Sequence, residues 1–343
     1  MNISICIGLV ILILYFITYG LIKNKEKRNK IFLLLSFVFL FIILEIRKPI
    51  SDLEYFITIF KNMGGDFSNL SMSRYAFLYR LLSVIVGKIW LNERFFIFIV
   101  DIITLAGPYF IIKKYSKNYL LAILLFIALG TYYMQFFIIR QALAISFLLF
   151  SIKFLNEDKP IRFFALVTIA GLFHTSAFVF AILYLLKYLK VSRQTFVFWV
   201  LIFIIIFIFK RQIALLFASS TDYAVYIGTK YDAANEGQWK LLIYILLFAF
   251  CFLLKSGYEK DKYSQFFLSA MLVAIYFQLI ATSSTSFVRV ANYFCFPIYI
   301  LSPNVIKNLK DKRTRQIMEL VVIFCYFLFV FMANPIKGYE IFF

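Results

Sequence analysis

The sequence predicts an all-α integral membrane protein, a polytopic bundle of about 10–12 transmembrane spans. Hydrophobic residues make up 63% of the 343-residue chain and charged residues only 15%, whereas soluble globular chains are about half apolar and a quarter charged. The mean hydropathy is +0.89. Apolar blocks of about 15–24 residues alternate with short charged connectors, which is typical of transmembrane helices. A soluble fold of this size could not bury so much apolar surface.

The apolar blocks predict the individual spans. The candidate spans are 3–22, 31–46, 95–112, 119–136, 137–155, 195–210, 241–254, 265–282, 290–303 and 317–333. We interpret the first block as a retained helix, because it precedes its basic cluster and lacks a cleavage site of small residues. No internal repeat, low-complexity tract or soluble domain interrupts the pattern. Residues 1–343 are therefore predicted to form a single integral membrane domain.

The charge distribution predicts the orientation of the chain. Much of the net charge of +19 lies in two short connectors, 23–30 and 304–316. Basic connectors face the cytoplasm by the positive-inside rule, which places loops 47–74, 211–240 and 283–289 outside. Nucleic acid is not an expected partner, because no basic and aromatic surface domain is present to bind it.

Two segments, 75–91 and 163–186, allow alternative topologies. If 75–91 crosses the membrane, the lysines of 113–117 fall outside, against the positive-inside rule. If 75–91 lies along the interface, those lysines fall inside, and 163–186 must enter and return with His174 near its turn. We prefer this second arrangement, although each half of 163–186 would then be only about half a membrane long.

The cysteines indicate neither a disulfide framework nor a metal site. They form no CxxC pair and lie in or beside apolar blocks, so small buried hydrophobes are the better interpretation. The four residues are Cys6, Cys251, Cys295 and Cys325. No pair or cluster of carboxylates is spaced to bind a divalent ion, so neither a metal nor another cofactor is expected.

Several polar residues lie where the chain enters the apolar blocks. Arg140 and Gln141 begin one span, the only histidine, His174, lies inside another, and Arg289 begins a third. Ionisable groups at membrane depth are costly, so they commonly face a protein interior or a watery cavity and act there. Two arginines in an outward-facing cavity would suit a diphosphate, because guanidinium groups bind phosphate oxygens in a bidentate way.

Further candidates lie beside these. Asp52 and Tyr55 fall in the predicted outer loop. Arg289, Asn292 and Tyr293 are three and four residues apart, so they are predicted to share one helix face. Structural roles remain open for the charged members of the set. Arg140 could extend to the interface, His174 could link two helices, Arg289 could cap a loop, and Asp52 could simply be solvated.

The run 139–146 (IRQALAIS), followed by 162–164 (RFF) and 170–177 (AGLFHTSA), resembles the EpsG family of bacterial polysaccharide polymerases, which are Wzy-like. The acidic and aromatic stretch 52–60 and the run 289–294 (RVANYF) are also similar to motifs of that family. One departure is the sequence Ser-Arg-Tyr at 73–75, where family members carry an acidic residue before the third apolar stretch. If that acid acts in catalysis, either Asp52 or Glu54 replaces it here or its role is dispensable.

The resemblance implies a GT-C-like bundle that acts as a membrane glycosyltransferase. Such an enzyme would polymerise undecaprenyl-diphosphate-linked repeat units into capsular polysaccharide, exopolysaccharide or O-antigen at the outer face of the bacterial inner membrane. The implied partners are the lipid-linked oligosaccharide and membrane lipids, with a chain-length regulator and a flippase as further candidates. A flippase or exporter of the same glycans, or a membrane O-acyltransferase, is the alternative. Transporters commonly contain paired broken helices, whereas only one candidate break is present here.

On this basis each candidate residue has an expected role. Arg140 and Arg289 are expected to bind the donor diphosphate, and Gln141 to position a phosphate or a sugar hydroxyl. His174 is expected to be the general base for the acceptor hydroxyl. Asp52 and Tyr55 are expected to contact the sugar or to orient His174, so Asp52 would act together with the histidine in catalysis. Asn292 is expected to be a further substrate-binding residue. The arginines would stabilise the diphosphate charge as a metal ion does in other enzymes, so transfer is expected to be metal-independent.

Overall fold

The computed structural model describes residues 3–50, 52–71, 76–219, 224, 227–229, 237–254 and 263–333. The α-helices, in chain order, are α1 (Ile3–Leu21), α2 (Lys25–Glu45), α3 (Asp52–Met63), α4 (Phe77–Ile89), α5 (Glu93–Tyr115), α6 (Tyr119–Ala128), α7 (Met134–Phe137), α8 (Ile139–Asn156), α9 (Pro160–Phe173), α10 (Ile182–Leu186), α11 (Phe196–Ser219), α12 (Gln238–Leu253), α13 (Ser264–Ala281), α14 (Thr285–Ala291), α15 (Phe296–Lys307) and α16 (Lys312–Ala333). The 3-10 segments are Phe67–Ser71, Thr175–Ala181 and Asn292–Phe294. Within these residues no strand is present, which confirms the all-α prediction.

Six helices of the described residues are long and apolar enough to cross a membrane, namely α1, α5, α8, α11, α13 and α16. Shorter apolar helices, α6, α9 and α12 among them, complete the polytopic bundle. Several predicted spans have different bounds in the structure. The span 290–303 is divided between the end of α14, the 3-10 segment Asn292–Phe294 and α15. The span 195–210 extends to Ser219 as α11, and the span 119–136 is helical only to Ala128 before the turn at Gly130. Gly130 has a φ of 86°, a left-handed conformation that glycine adopts without steric penalty.

One end of the bundle, which we call the basic end, is formed by the turns at 22–24, 116–118, 157–159 and 308–311. Lys114 Nζ lies 3.1 Å from Glu157 Oε1, and the Lys117 backbone N–H donates to Asn304 Oδ1 at 2.6 Å. The side chain of Glu157 accepts hydrogen bonds from Lys159 and Lys114, which lower its pKa to about 2. The lysines of 113–117 thus lie at the same end as the two basic connectors, as the preferred topology requires.

The opposite end, which we call the site end, contains the end of α2, helices α3 and α4, and the start of α5 and α8. The Arg94 guanidinium donates to the carbonyl of Glu45 at 2.8 Å and to that of Arg47 at 3.4 Å. The end of α2 and the start of α5 therefore lie together at the site end. An odd number of crossings between them is excluded, so α4 is not the single additional span that the alternative topology requires. Residue 75, the first of the segment 75–91, and residues 72–74 before it lie outside the described residues.

The segment 163–186 enters and returns, with His174 at the turn. Lys187 Nζ donates to the carbonyl of Leu155 at 2.8 Å and contacts the carboxylate of Asp158, so both arms start from the basic end. The 14 residues of α9 rise about 21 Å at 1.5 Å per residue. The returning arm covers a similar distance, about 21 Å, because its 3-10 segment rises about 2.0 Å per residue. Because the 3-10 segment rises further per residue, the returning arm, which has fewer residues, covers the same distance as α9.

A buried ion pair joins three elements at the site end. The side chains of Arg47 and Asp101 are 2% and 0% exposed, and they form two hydrogen bonds, Nη1 to Oδ2 at 2.5 Å and Nη2 to Oδ1 at 3.0 Å. Arg47 Nη2 also donates to the carbonyl of Gln135 in α7 at 3.3 Å. Removing two charges from water is costly, and only such bidentate geometry with further acceptors offsets that cost.

Helices α5 and α8 approach closely at Gly107. Pro108 lacks an N–H inside α5, and the hydroxyl of Ser146 enters the helix at this point. It accepts from the Gly107 N–H at 2.9 Å and donates to the Ile103 carbonyl at 2.5 Å. A Cβ at position 107 would lie 2.5 Å from the Ser146 backbone. The absence of a side chain therefore permits the packing that positions α8.

The prediction of four buried cysteines is only half correct. Cys251 and Cys295 are buried, Cys6 is partly exposed and Cys325 is exposed. Cys325 belongs to α16, whose apolar window is only 11% buried inside the protein. The hydrophobicity of a membrane helix does not distinguish a face that contacts protein from a face that contacts lipid, so the sequence could not separate these positions.

We expect Gly107→Ala to destabilise the protein by roughly 1–3 kcal/mol, because the added methyl group overpacks the α5–α8 contact. Thermal unfolding of the purified protein in detergent measures the effect. Gly20→Ala is the matched control, since no atom lies within 4 Å of a Cβ at that helical position. Equal unfolding temperatures for the two variants would contradict the assigned role of Gly107.

We expect Asp101→Leu to destabilise the protein by about 3–5 kcal/mol, because it leaves Arg47 buried without its counter-charge. The double variant Arg47→Met/Asp101→Leu should recover much of that loss, since two apolar side chains have no desolvation cost. Unfolding of both variants in detergent tests the pair. A double variant less stable than Asp101→Leu alone would show that the ion pair is not the source of the effect.

Candidate active site

The predicted site residues come from four places that meet at the site end. Asp52 begins α3, Arg140 and Gln141 lie in the first turn of α8, His174 follows α9, and Arg289 lies in the last turn of α14. The positive charges of Arg140 and Arg289 both act electrostatically on His174. Two arginines 149 positions apart in sequence are thus brought to one histidine by the fold.

Arg140 rests on an aromatic surface. Its guanidinium carbon lies 5.0 Å from the centroid of the Phe56 ring, a cation–π distance. Phe56 is buried in α3, and the Tyr79 hydroxyl of α4 donates to its carbonyl at 2.9 Å. The interfacial helices α3 and α4 therefore support the side chain of Arg140 from one side.

Arg289 is held through its backbone and leaves its guanidinium half-exposed. The amide of buried Gln141 donates to the Arg289 carbonyl. The Arg289 Nη2 lies 3.8 Å from Asp52 Oδ2, and the two side chains are 35% and 44% exposed. A solvated pair at this distance contributes little to stability. Asp52 therefore orients Arg289 while leaving it accessible.

His174 belongs to a small hydrogen-bonded network. Its Nδ1 lies 2.9 Å from the Ser176 hydroxyl and 3.4 Å from the Tyr293 hydroxyl, and these two hydroxyls are 2.9 Å apart. Ser176 and Tyr293 are buried. With Nδ1–H donating to Ser176, the other ring nitrogen, Nε2, would be the proton acceptor. The arrangement of a base oriented by a second polar group is suited to proton transfer.

Two expected substrate contacts lie differently from the sequence prediction. Arg289, Asn292 and Tyr293 do not share one face: Asn292 Oδ1 accepts from Lys240 Nζ at 2.7 Å, on the side of α12. The chain changes from α-helix to a 3-10 segment at Asn292, which alters the angle between successive side chains. Tyr55 lies one turn after Asp52 and is 51% exposed.

Several polar groups at this end were not predicted from the sequence. Asp101 lies in the middle of an apolar span, which was a usable signal, because an acid at that depth needs a partner. Its partner Arg47 follows the preceding span. Lys240 and the Ser176 hydroxyl carried no comparable signal. No group of three or more His, Cys, Asp or Glu residues that could hold a metal ion is found among the described residues.

A comparison with known families matches the EpsG family over residues 30–341. The chain belongs to the EpsG family. No curated protein and no solved structure matches it. Membership gives this EpsG-family protein a polysaccharide-polymerase type of role in exopolysaccharide biosynthesis. Together with the apolar helices, it also makes the chain a multi-pass membrane protein.

We expect His174→Ala to reduce polymer formation by about 10²–10⁴-fold, the usual contribution of general acid–base catalysis. Ser176→Ala and Tyr293→Phe should retain activity with an altered pH–rate profile, because they orient the imidazole rather than contact the substrate. Polymer yield from membranes at several pH values measures all three. Ser219→Ala, which removes an exposed hydroxyl, is the control. Wild-type yield in His174→Ala would refute a catalytic histidine.

Proposed function

We propose that this protein polymerises undecaprenyl-diphosphate-linked oligosaccharide repeats at the outer face of the bacterial inner membrane. The acceptor hydroxyl would attack the anomeric carbon of the donor glycan, and the bond from that carbon to the diphosphate would break. Undecaprenyl diphosphate would leave with the electron pair, and the hydroxyl proton would pass to His174 Nε2. Capsular polysaccharide, exopolysaccharide and O-antigen are the products of this class of reaction.

The convergence of Arg140 and Arg289 on His174 is the observation that carries the proposal. The leaving diphosphate gains negative charge as the glycosidic bond breaks, and pre-positioned guanidinium groups would stabilise that charge. The Arg140 guanidinium packs on an aromatic ring, and Arg289 is held through its backbone carbonyl. Side chains that need not reorganise during the reaction give the largest electrostatic effect. Transfer would then be metal-independent.

The remaining residues would have supporting roles. Gln141 would be a positioning residue, because its amide binds the Arg289 backbone rather than facing outward. Asp52 would prevent Arg289 from turning away, and exposed Tyr55 would contact a sugar of the incoming repeat. Asn292 would position Lys240, a third cation at this end. Tyrosine suits sugar binding because one face of its ring is apolar and its hydroxyl forms hydrogen bonds.

The charge distribution supports the outward orientation of the site end. The connectors at the basic end contain most of the clustered lysines and arginines, and such connectors remain in the cytoplasm. The site end then faces the outer leaflet, where lipid-linked repeats would be presented. The half-exposed Arg289 and Asp52 would be open to that side.

We expect Arg140→Ala and Arg289→Ala each to reduce polymerisation by about 10²–10³-fold, because each removes one donor to the developing charge. Arg140→Lys should also be impaired, since an ammonium group cannot bind phosphate in a bidentate way. The assay uses purified protein in liposomes with lipid-linked repeats and measures chain length by gel electrophoresis. Expression level and unfolding temperature must match the wild type.

Arg193→Ala is the control, since Arg193 is exposed and lies outside the site. Polymers of wild-type length from Arg140→Ala would refute the proposed diphosphate site. Movement of unpolymerised repeats across the bilayer, without any polymer, would instead identify a transporter.

A further inference from the structure

A polar cavity lies at the basic end, far from His174. It has a volume of about 310 Å³ and is bounded by the turns between α1 and α2, between α5 and α6, and between α15 and α16. Helix α5 passes from the site end to the basic end over 23 residues, which corresponds to about 35 Å. The cavity is therefore separate from the candidate active site.

The walls of this cavity are strongly basic. The cationic side chains that line it are Lys25, Arg28, Lys117, Lys307, Lys312 and Arg315. The only carboxylate in the lining is that of Glu319, which accepts a hydrogen bond from the Asn118 amide at 2.9 Å. Within the described part of the chain, Arg28, Lys312 and Arg315 form no ion pair within 4.0 Å. Six cations with a single carboxylate among them form a receptor for an anion.

Helix dipoles add to this positive potential. Three helices begin at the cavity: α2 at Lys25, α6 at Tyr119 and α16 at Lys312. The N-terminus of a helix carries partial positive charge and favours anions, whereas a basic side chain there is unfavourable. Lys25 and Lys312 occupy that unfavourable position in two of the three helices. An anion bound between Lys25 and Lys312 would be attracted both by the helix N-termini and by the two lysine side chains.

The rim of the cavity is aromatic and apolar. Tyr15, Phe16 and Tyr19 line it, and Phe16 and Tyr19 are 64% and 54% exposed. The Arg28 guanidinium lies 4.2 Å from the centroid of the Tyr19 ring, which orients its donors. Aromatic residues at the ends of transmembrane helices lie at the level of lipid headgroups. An apolar rim beside a basic cavity suits a molecule that has a phosphate and acyl chains.

We infer that this cavity binds the phosphate headgroup of an anionic phospholipid, with the acyl chains lying along α1. Basic pockets between transmembrane helices on the cytoplasmic side bind such headgroups. The inference goes beyond the polymerase role and does not depend on it, because no residue of the candidate active site takes part. The bound lipid would link the turns that join α1 to α2 and α15 to α16.

The test is a titration of phosphatidylglycerol into the full-length protein in detergent, with bound lipid counted by native mass spectrometry. The triple variant Arg28→Gln/Lys312→Gln/Arg315→Gln should bind on the order of 100-fold more weakly, since each basic group near a membrane surface contributes a factor of about five. The control Lys27→Gln/Lys310→Gln/Arg313→Gln removes the same charge from exposed positions of the same connectors. It should bind as the wild type does.

Phosphatidylcholine and inorganic phosphate are the comparison probes. Weak phosphatidylcholine binding and displacement of phosphatidylglycerol only at high phosphate concentration are expected. Equal loss in the two triple variants would overturn the inference, because it would show diffuse attraction to a basic surface. Saturable binding of phosphate as tight as that of the lipid would overturn the assignment to a lipid. The single variant Arg28→Gln gives the same comparison if the triple variant does not fold.

Discussion

The ion pair between Arg47 and Asp101 is the contact on which the geometry of the site end depends. It fixes the end of α2 to the third turn of α5, and the additional hydrogen bond to Gln135 brings α7 to the same point. The pairing is effective because neither charge can reach water, so each must be satisfied by the other. With α2 and α5 joined here, the chain between them must lie across the end of the bundle. That chain carries Asp52 and Phe56.

The broken hairpin 160–187 provides the second half of the site. Its arms are too short to be ordinary spans, and they are supported by α8 on one side and by the 292–294 segment on the other. Irregular backbone at membrane depth needs protein around it, and the hydroxyls of Ser176 and Tyr293 supply polar partners at the break. Lys187 closes the hairpin at its base. The histidine is therefore held at a turn whose two ends are fixed.

The two ends of the bundle use positive charge differently. At the site end, Phe56 contacts the Arg140 guanidinium and Gln141 holds the Arg289 backbone. The Asp52 carboxylate lies 3.8 Å from the Arg289 guanidinium. At the basic end, lysines and arginines line one cavity together and are reinforced by helix N-termini. Directed guanidinium groups suit a reacting diphosphate, whereas a diffuse positive cavity suits a headgroup that only needs to be retained.

The sequence by itself determined the fold class and the family motifs, because hydropathy follows directly from the bilayer and the motifs are short local runs. It left two topologies open for 75–91 and 163–186. The burial of Gln141, the turn of Asn292 toward Lys240, and the Arg47–Asp101 pair were decided only by the tertiary structure. These features depend on which residues meet across helices, and apolar periodicity contains no information on that in a chain whose lipid-facing and protein-facing sides are equally hydrophobic. For the same reason, Cys325 was expected to be buried in the protein but is exposed.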